Sequence, residues 1–270
     1  MMLYDPKTRL ECLQSVLEFD GKDDKIEIPY SEILNPTSFT VEAWVMCKGG
    51  FYGGMPVSSY EWDAQEGSKG YTLFTIPWLT GENWCEFWIY GTNMGGYSGI
   101  PTGFSPSIVQ NDVWTHLAGT YDEQSKTHSF YVNGELSADP ITIGFEPYKP
   151  NRSSVLRIGT GDRADLNPRA VVQLGDSFNP LSCGVGSSKE YFFFKGLIAE
   201  VRIWNKARSQ KQIQANLYRR LKGNESGLVG YWPLNEGFGN QVKDKTANHN
   251  NGKIFGHPTW VAAQIPLDFN

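Results

Sequence analysis

The central stretch of the sequence, residues 112–136, restricts the possible fold more than any other part of the chain. It contains two alternating apolar runs, 113–121 and 128–132, separated by a polar turn. The second run ends at Asn133-Gly134, the dipeptide that most readily adopts the positive φ angles of a type I′ hairpin turn. The stretch therefore predicts an antiparallel β-meander in the middle of a sheet sandwich.

A second strand pattern precedes this meander. Residues 39–45 alternate strictly, so Phe39 and Val41 are predicted to face the core and Glu42 to face away from it. Trp44 falls on the second face, which indicates that this face is at least partly covered.

One helix pattern follows later in the chain. Ser209 and Gln212 have the spacing of a capping box, and Gly223 can end a helix. Apolar residues recur at four-residue steps between these points: Ile213, Leu217 and Leu221. The pattern predicts one short α-helix near residues 209–222 in an otherwise all-β chain.

Charge and hydropathy exclude two classes of function. The net charge of the chain is −5 and no run of basic residues occurs, which argues against binding to nucleic acids or to anionic membranes. No stretch of about 18 consecutive apolar residues exists that could span a membrane. Residues 1–10 lack the apolar core of a signal peptide, so we expect a cytoplasmic chain or part of a longer exported protein.

The four cysteines do not form a metal-binding pattern. They are widely spaced and include no Cys-x-x-Cys pair, which makes a structural zinc site improbable. Three disulfide pairings are possible, but buried free thiols are the favoured interpretation in the absence of a secretion signal. The four residues are Cys12, Cys47, Cys85 and Cys183.

Two segments, 48–106 and 160–193, are less regular than the rest of the chain and rich in glycine and aromatic residues. Tryptophan and tyrosine faces stack against sugar rings, while aspartate, asparagine and arginine bond the hydroxyls. On this basis the candidate ligand-binding residues are Tyr52, Tyr60, Trp62, Asp63, Trp78, Asn83, Trp84, Asp162 and Arg163. The alternative is that most of these rings simply pack against the sheet.

Eight pieces of the sequence, taken in order, resemble the laminin-G-like (pentraxin-like) members of the concanavalin A-like jelly rolls. These pieces are 17–21, 39–44, 114–121, 130–135, 156–159, 194–204, 228–237 and 244–252. The resemblance implies a two-sheet antiparallel jelly-roll sandwich in a single domain over residues 15–262, with an N-terminal extension at 1–14 and a tail at 263–270. Relative to the family, the segments 48–106 and 160–193 look expanded, and the fold would place such loops at the rim of the concave face.

A possible catalytic motif lies in the first of these segments. Glu61, Asp63 and Glu66 spell Glu-x-Asp-x-x-Glu, which resembles the motif of retaining glucanases that share this jelly-roll architecture. The resemblance implies Glu61 as nucleophile, Asp63 as its partner and Glu66 as acid/base, with two carboxyl groups about 5–5.5 Å apart. The motif is predicted to lie in a loop rather than on a strand, which argues against catalysis.

A calcium site is the other implication of the resemblance, because many family members hold a structural Ca²⁺. Asp20, Asp23 and Asp24 lie in one tight turn, and Asp244 could join them if the ends of the chain meet. Calcium takes six to eight oxygen ligands with loose geometry, so sequence spacing restricts it only weakly.

Together these features predict a non-catalytic module that binds carbohydrate through aromatic rim loops. A protein- or peptide-binding module of the same fold is the main alternative, since tyrosine and tryptophan are also favoured anchors in protein interfaces. A glycoside hydrolase is the second alternative. The sequence does not specify the ligand, the oligomeric state or the compartment.

Overall fold

The computed structural model of the chain describes residues 12–49, 54–63, 65–77, 82–91, 100–101, 108–137, 139–142, 148–161 and 192–268. Within these residues, one α-helix, α1 (Gln210–Asn216), and a 3₁₀ turn at Glu32–Leu34 accompany the strands. None of the helices in these ranges has the length and apolarity needed to cross a membrane.

The strands follow the chain as β1 (Cys12–Asp20), β2 (Lys25–Ile28), β3 (Phe39–Cys47), β4 (Gly54–Ser58), β5 (Glu61–Asp63), β6 (Gly67–Pro77), β7 (Glu82–Tyr90), β8 (Ile100–Pro101), β9 (Ile108–Gln110), β10 (Thr115–Asp122), β11 (Thr127–Val132), β12 (Glu135–Leu136), β13 (Ile141–Thr142), β14 (Leu156–Ile158), β15 (Lys195–Trp204), β16 (Leu228–Trp232), β17 (Gln241–Val242), β18 (Gly252–Phe255) and β19 (Thr259–Ile265).

In the described ranges these strands form two antiparallel sheets. The nine-stranded sheet has the order β12-β11-β10-β3-β15-β1-β19, with β13 beside β11 and β16 beside β15. The ten-stranded sheet has the order β17-β18-β2-β14-β4-β6-β7-β8, with β5 beside β6 and β9 beside β7. The predicted two-sheet antiparallel sandwich with one short helix is therefore confirmed.

The core between the sheets is built largely from aromatic and β-branched side chains. Phe39 and Val41 are fully buried in it, as the alternation predicted. The Phe39 ring stacks on Tyr71 of the opposite sheet with the ring centroids 4.5 Å apart. Gly119 allows the sheets to approach at this point, because a Cβ there would lie 2.3 Å from Cδ2 of Phe87.

The central meander forms as predicted. β10 pairs with β11, and Val132 lies opposite Glu135 across a two-residue turn. Asn133 and Gly134 in this turn have φ angles of 52° and 77°, the positive values of a type I′ turn. The turn then contacts α1, since Gln214 Nε2 donates to the Gly134 carbonyl at 3.0 Å.

Helix α1 is shorter than the predicted span of 209–222. The capping box forms at its start, but regular helix ends at Asn216. Side chains of the nine-stranded sheet provide the physical reason, because they bind the carbonyls at the end of α1. Trp44 Nε1 donates to the Leu217 carbonyl at 3.1 Å, and Arg202 Nη1 donates to the Asn216 carbonyl at 3.0 Å. These bonds replace the next helical turn.

Replacing Ser209 by alanine is expected to lower the free energy of unfolding by about 1 kcal/mol, the usual contribution of an N-cap side chain. Ser209 Oγ accepts from the Gln212 amide, and Gln212 Oε1 accepts from the Ser209 amide at 2.9 Å. Urea unfolding measures the change. The exposed Ser226 provides the control, since Ser226→Ala is expected to change stability by less than about 0.5 kcal/mol. Equal losses in the two variants would contradict the role of the cap.

Beneath α1, the outer face of the nine-stranded sheet holds a buried charged cluster: Glu42, His116, Glu200, Arg202 and Arg208. Glu42 Oε1 lies 2.6 Å from Arg208 Nη1, and Glu42 Oε2 lies 3.5 Å from both Arg202 Nη1 and His116 Nε2. Arg202 Nη2 also donates to Glu200 Oε2 at 2.9 Å. Thus Glu42 does point away from the core, as predicted, but it is fully covered.

A β-bulge positions this cluster. The register of β15 against β3 shifts between Ala199 and Arg202, and Glu200 within the shift has a φ of 54°. A positive φ is rare for glutamate in a strand and is retained only where surrounding contacts hold it. The Tyr231 hydroxyl, which donates to Glu200 Oε2 at 2.7 Å, is one such contact.

At the ends of the described chain, strand β1 begins at Cys12 and strand β19 continues to Ile265. Cys47 and Cys85 are buried free thiols within the core. The Cys12 side chain and Cys183 lie outside the described residues.

Candidate functional site

The candidate site is the face of the ten-stranded sheet that points away from the core. Alternate residues of β7 lie in the core: Cys85, Phe87 and Ile89. Because neighbouring residues of a strand point to opposite faces, the intervening side chains point outward: Trp84, Glu86, Trp88 and Tyr90. Sequence reasoning noted Trp84 but missed Glu86 and Trp88. The signal that could have found them is the alternation Trp-Cys-Glu-Phe-Trp itself.

The outward rings of β7 continue onto β5 and the residue before it. Tyr60 packs edge-on against Tyr90 with centroids 4.7 Å apart, and Tyr90 stacks on Trp88 at 6.3 Å. Trp62 lies opposite Ser68, whose hydroxyl is 3.0 Å from the Tyr60 hydroxyl, so Trp62 projects on the same side. We call the whole set the aromatic row: Trp62, Tyr60, Tyr90, Trp88 and Trp84.

The members of the aromatic row differ in exposure. Trp62 is 46% exposed, and Trp84 and Trp88 are partly exposed. Tyr60 and Tyr90 are buried beneath their neighbours. The three tryptophans can therefore contact a ligand, and the two tyrosines support them.

Glu86 lies between the two tryptophans of β7. Its Oε2 accepts a hydrogen bond from Trp88 Nε1 at 2.7 Å, which fixes the orientation of the indole. Burial raises the pKa of the Glu86 carboxyl, although the bond from Trp88 opposes this shift. Glu86 is only 8% exposed, so a ligand lying on the rings would bond it through the exposed edge of the carboxyl group.

Polar groups form another part of this face, beside apolar Phe74 and Ile76 of β6. Strand register places Glu27, Arg157, Ser58 and Thr72 in one line that leads to Trp88. The Ser58 and Thr72 hydroxyls lie 3.1 Å apart, and Arg157 Nε lies 3.9 Å from Glu27 Oε1. The face thus combines aromatic rings with hydroxyl and charged groups rather than presenting a uniform apolar surface.

Several predicted ligand-binding residues need correction. Tyr60 and Asn83 are buried and their contacts are already occupied, because Tyr60 packs on Tyr90 and Asn83 Nδ2 donates to the Val109 carbonyl and to Asn111 Oδ1. Trp62 lies on strand β5 instead of in a rim loop, whereas Trp84 lies on β7, where the sequence predicts a strand over residues 84–90. The remaining predicted residues, Tyr52, Trp78, Asp162 and Arg163, lie outside the described residues.

The Glu-x-Asp-x-x-Glu motif forms a hairpin around a buried lysine, so the predicted loop is in fact strand β5 and its turn to β6. Lys69 Nζ lies 2.8 Å from Glu66 Oε2 and 4.0 Å from both Glu61 Oε1 and Asp63 Oδ2. Glu61 is buried and accepts the Ser153 amide at 3.0 Å. All three carboxylates of the motif therefore take part in ion pairs with Lys69 that have a structural role.

The lowered pKa of Glu66 does not suit the acid/base residue of a retaining glycosidase. The hydrogen bond and charge of Lys69 lower the pKa of Glu66, whereas an acid/base residue needs a raised pKa. Backbone amides of Glu66 and Gln65 lower the pKa of Asp63. The hairpin thus fits a structural role better than a catalytic one.

The acidic turn between β1 and β2 could bind a metal ion. Carboxylate oxygens of Asp20, Asp23 and Asp24 lie within 4.8 Å of one another. Asp24 is buried, and both its oxygens already accept backbone amides, from Asp20 at 2.8 Å and from His257 at 2.7 Å. Burial raises the pKa of Asp24. Exposed Asp20 and Asp23 are the stronger ligands, and carbonyl or water oxygens would have to complete a calcium site.

Asp244 does not join this turn. Its Oδ1 accepts the amides of Tyr231 and Thr246, and its Oδ2 accepts the Asn250 amide at 2.9 Å. The predicted role of Asp244 as a calcium ligand is therefore corrected: the carboxylate organises its own loop, and among the described residues the acidic group holds only the three other aspartates.

The fold and the site together define the class: an antiparallel sandwich with aromatic side chains on the outward face of one sheet. A sequence profile described as the concanavalin A-like lectin/glucanases superfamily, of the laminin G type, matches residues 20–176. Because this match covers more than half of the sequence, the chain belongs to that family. No curated protein matches the sequence.

Solved structures show the same fold at low sequence identity. A Bacteroides ovatus protein provisionally described as carbohydrate-binding is 20% identical, with a TM-score of 0.61 over 97% of this chain; the chain spans 63% of that structure. The CBM40 of the Ruminococcus gnavus IT-sialidase is 13% identical, with a TM-score of 0.51 over 76% of this chain and 97% of its own. The same module bound to α2,3 sialyllactose gives 12% identity, a TM-score of 0.51 and coverages of 76% and 96%.

Proposed function

We propose that the chain is a non-catalytic carbohydrate-binding module whose ligand lies on the aromatic row. The observation that carries the proposal is the alternation on β7, which places two partly exposed indoles and a carboxyl group on one outward face. Sugars present both C–H faces for stacking and hydroxyls for hydrogen bonds, and this face offers partners for both. Structures of similar fold described as carbohydrate-binding support the proposal.

A protein- or peptide-binding module is the alternative. The cores of protein interfaces are depleted in charged residues. On this face, Glu86 lies between two of the rings, and Glu27 and Arg157 lie farther along the same face, on β2 and β14. The mixture of charge and rings therefore favours a ligand that is polar throughout, such as a glycan.

Trp62 is expected to contribute to glycan binding, because it is the most exposed ring of the row. We expect Trp62→Ala to weaken binding by about tenfold, the loss of roughly 1.4 kcal/mol of stacking energy. A glycan array identifies the ligand, and calorimetry measures the affinity of the variant. Phe238→Ala is the matched control, since Phe238 is 81% exposed but lies outside the row.

The array is run in calcium and in EDTA. We expect binding to persist in EDTA because no ring of the row belongs to the acidic turn; loss of the signal would instead implicate the turn of Asp20, Asp23 and Asp24. Absence of any glycan signal, together with capture of a protein through Trp62, would favour the protein-binding alternative. Chromatography of the bound glycans after incubation is expected to show no cleavage, and cleavage abolished by Glu61→Gln would establish the hydrolase.

A further inference from the structure

Strand β7 presents a regularly spaced site on its outward face. Trp84 and Trp88 are four residues apart on one face of the strand. Since a strand rises about 3.3 Å per residue, their Cα atoms lie about 13 Å apart. Each indole is partly exposed. A single monosaccharide can cover one of these indoles but cannot reach both.

The carboxyl group of Glu86 occupies the middle of this span. The bond from Trp88 Nε1 holds the carboxyl and the indole in one arrangement before any ligand arrives. Preorganised groups lose little conformational entropy on binding. The part of the site formed by Glu86 and Trp88 is therefore preorganised, which suits a ligand that extends in the direction of the strand.

The carboxyl group between the two indoles disfavours an acidic group placed directly over β7. Glu86 is that carboxyl group. The cations Arg157 and Lys25 lie 3.9 Å and 2.7 Å from Glu27, on strands β14 and β2, which β4 and β6 separate from β7. A ligand carboxylate placed over β7 would be repelled by Glu86.

We propose that β7 binds a neutral, linear oligosaccharide along its length, with non-adjacent sugar rings on Trp84 and Trp88 and hydroxyl groups of the intervening part facing Glu86. This inference rests on the proposed function and specifies its ligand class. Affinity then depends on chain length, because only an oligosaccharide of several units contacts both indoles. It also depends on ligand charge, because Glu86 lies between them.

Calorimetry with cello-, xylo-, manno- and malto-oligosaccharides, each from the monosaccharide to the hexasaccharide, tests the inference. In the preferred series we expect affinity to rise by about tenfold or more as the ligand becomes long enough to reach the second indole, and then to level off. Trp84→Ala is expected to remove this rise. Trp84→Phe, which keeps an aromatic ring, is expected to retain most of it, and Phe238→Ala to leave it unchanged.

The charge of the ligand is tested with oligogalacturonate and sialyllactose. We expect the wild-type protein to bind these at least about tenfold more weakly than the preferred neutral series. Glu86→Gln keeps an oxygen acceptor for Trp88 Nε1 and is expected to reduce the difference in affinity between neutral and acidic ligands. Equal affinity for acidic and neutral ligands would overturn the inference on charge.

Failure of the inference and failure of the proposed function give different results. Oligosaccharide binding that does not depend on chain length, or that Trp84→Ala leaves intact while Trp62→Ala removes it, overturns the inference and keeps the function. Binding to none of the sugars, neutral or acidic, overturns both. Thermal midpoints close to that of the wild type identify the variants that remain folded, and Trp84→Phe decides the matter where Trp84→Ala does not fold.

Discussion

Replacing Arg202 by methionine is expected to lower the free energy of unfolding by about 3–5 kcal/mol, the cost of removing one partner from a buried ion pair. Arg202 is fully buried, and its Nη2 donates to Glu200 at 2.9 Å and to the Arg219 carbonyl at 2.7 Å. Methionine keeps much of the aliphatic volume but removes the nearest cationic partner of the buried Glu200 carboxylate, leaving it with the more distant Arg220 and the Tyr231 hydroxyl. Urea unfolding of wild type and variant measures the difference.

Arg220→Met is the matched control. Arg220 contacts the same carboxylate, with Nε 3.6 Å from Glu200 Oε1, but its side chain is 36% exposed. Because the Arg220 side chain is partly exposed and water can replace it, the same substitution is expected to cost less at this position than at Arg202. The double variant Glu200→Gln/Arg202→Met is expected to recover part of the loss, because it removes the buried carboxylate charge. A loss below about 1 kcal/mol for Arg202→Met alone would show that Glu200 does not depend on it.

The second large effect is a loss of stability in acid, and the charged cluster determines its sign. Burial by itself would raise the pKa of Glu42, but the hydrogen bond from His116 and the charges of Arg208 and Arg202 lower it to about 2. Burial lowers the pKa of His116. In both groups the folded-state pKa lies below the unfolded value, so the unfolded chain binds protons more readily.

Stability contributed by these two groups is therefore present at neutral pH and lost as the pH falls. As the pH falls, the contribution of His116 is lost first, below its unfolded pKa of 6.5. The contribution of Glu42 is lost between pH 4.5 and about 2. The Glu42 contribution is about 3 kcal/mol, from the difference between its two pKa values. Glu86 has the opposite sign, because burial raises its pKa and its protonation favours the folded state as the pH falls.

Urea unfolding across this pH range measures the effect, with Glu42→Gln as the comparison. Glutamine does not titrate, so the variant is expected to be less stable at neutral pH but to lose less stability between pH 4.5 and about 2. If the free energy of unfolding falls in parallel with pH in the wild type and in Glu42→Gln, groups other than Glu42 cause the acid sensitivity.

Features encoded by local pattern were predicted well from the sequence. Asn133-Gly134 determines its turn through backbone preference alone, and the alternation of 39–45 determines which side chains enter the core. The start of α1 was also predicted, because a capping box needs only Ser209 and Gln212. Each of these depends on residues that are close together in the chain.

Features that depend on distant contacts were not predicted. Helix α1 ends early because Arg202 and Trp44, far away in sequence, bind the carbonyls at its end. Lys69 forms ion pairs with the carboxylates of the Glu61 hairpin, and a match to a sequence motif cannot reveal such pairs. Trp62 was assigned to a loop for a related reason, since its position on a strand depends on the pairing of β5 with β6.

The alternation of β7 has a consequence for how binding specificity can change. Cys85, Phe87 and Ile89 hold the two sheets together, while the residues between them face outward. Substitutions at Trp84, Glu86 and Trp88 can therefore alter the chemistry of the surface while the packing of the interior stays the same. Along β7, the odd-numbered residues face the core and the even-numbered residues face outward. In a related chain, substitutions at the even-numbered positions could change which ligand is bound, while unchanged residues at the odd-numbered positions would keep the fold.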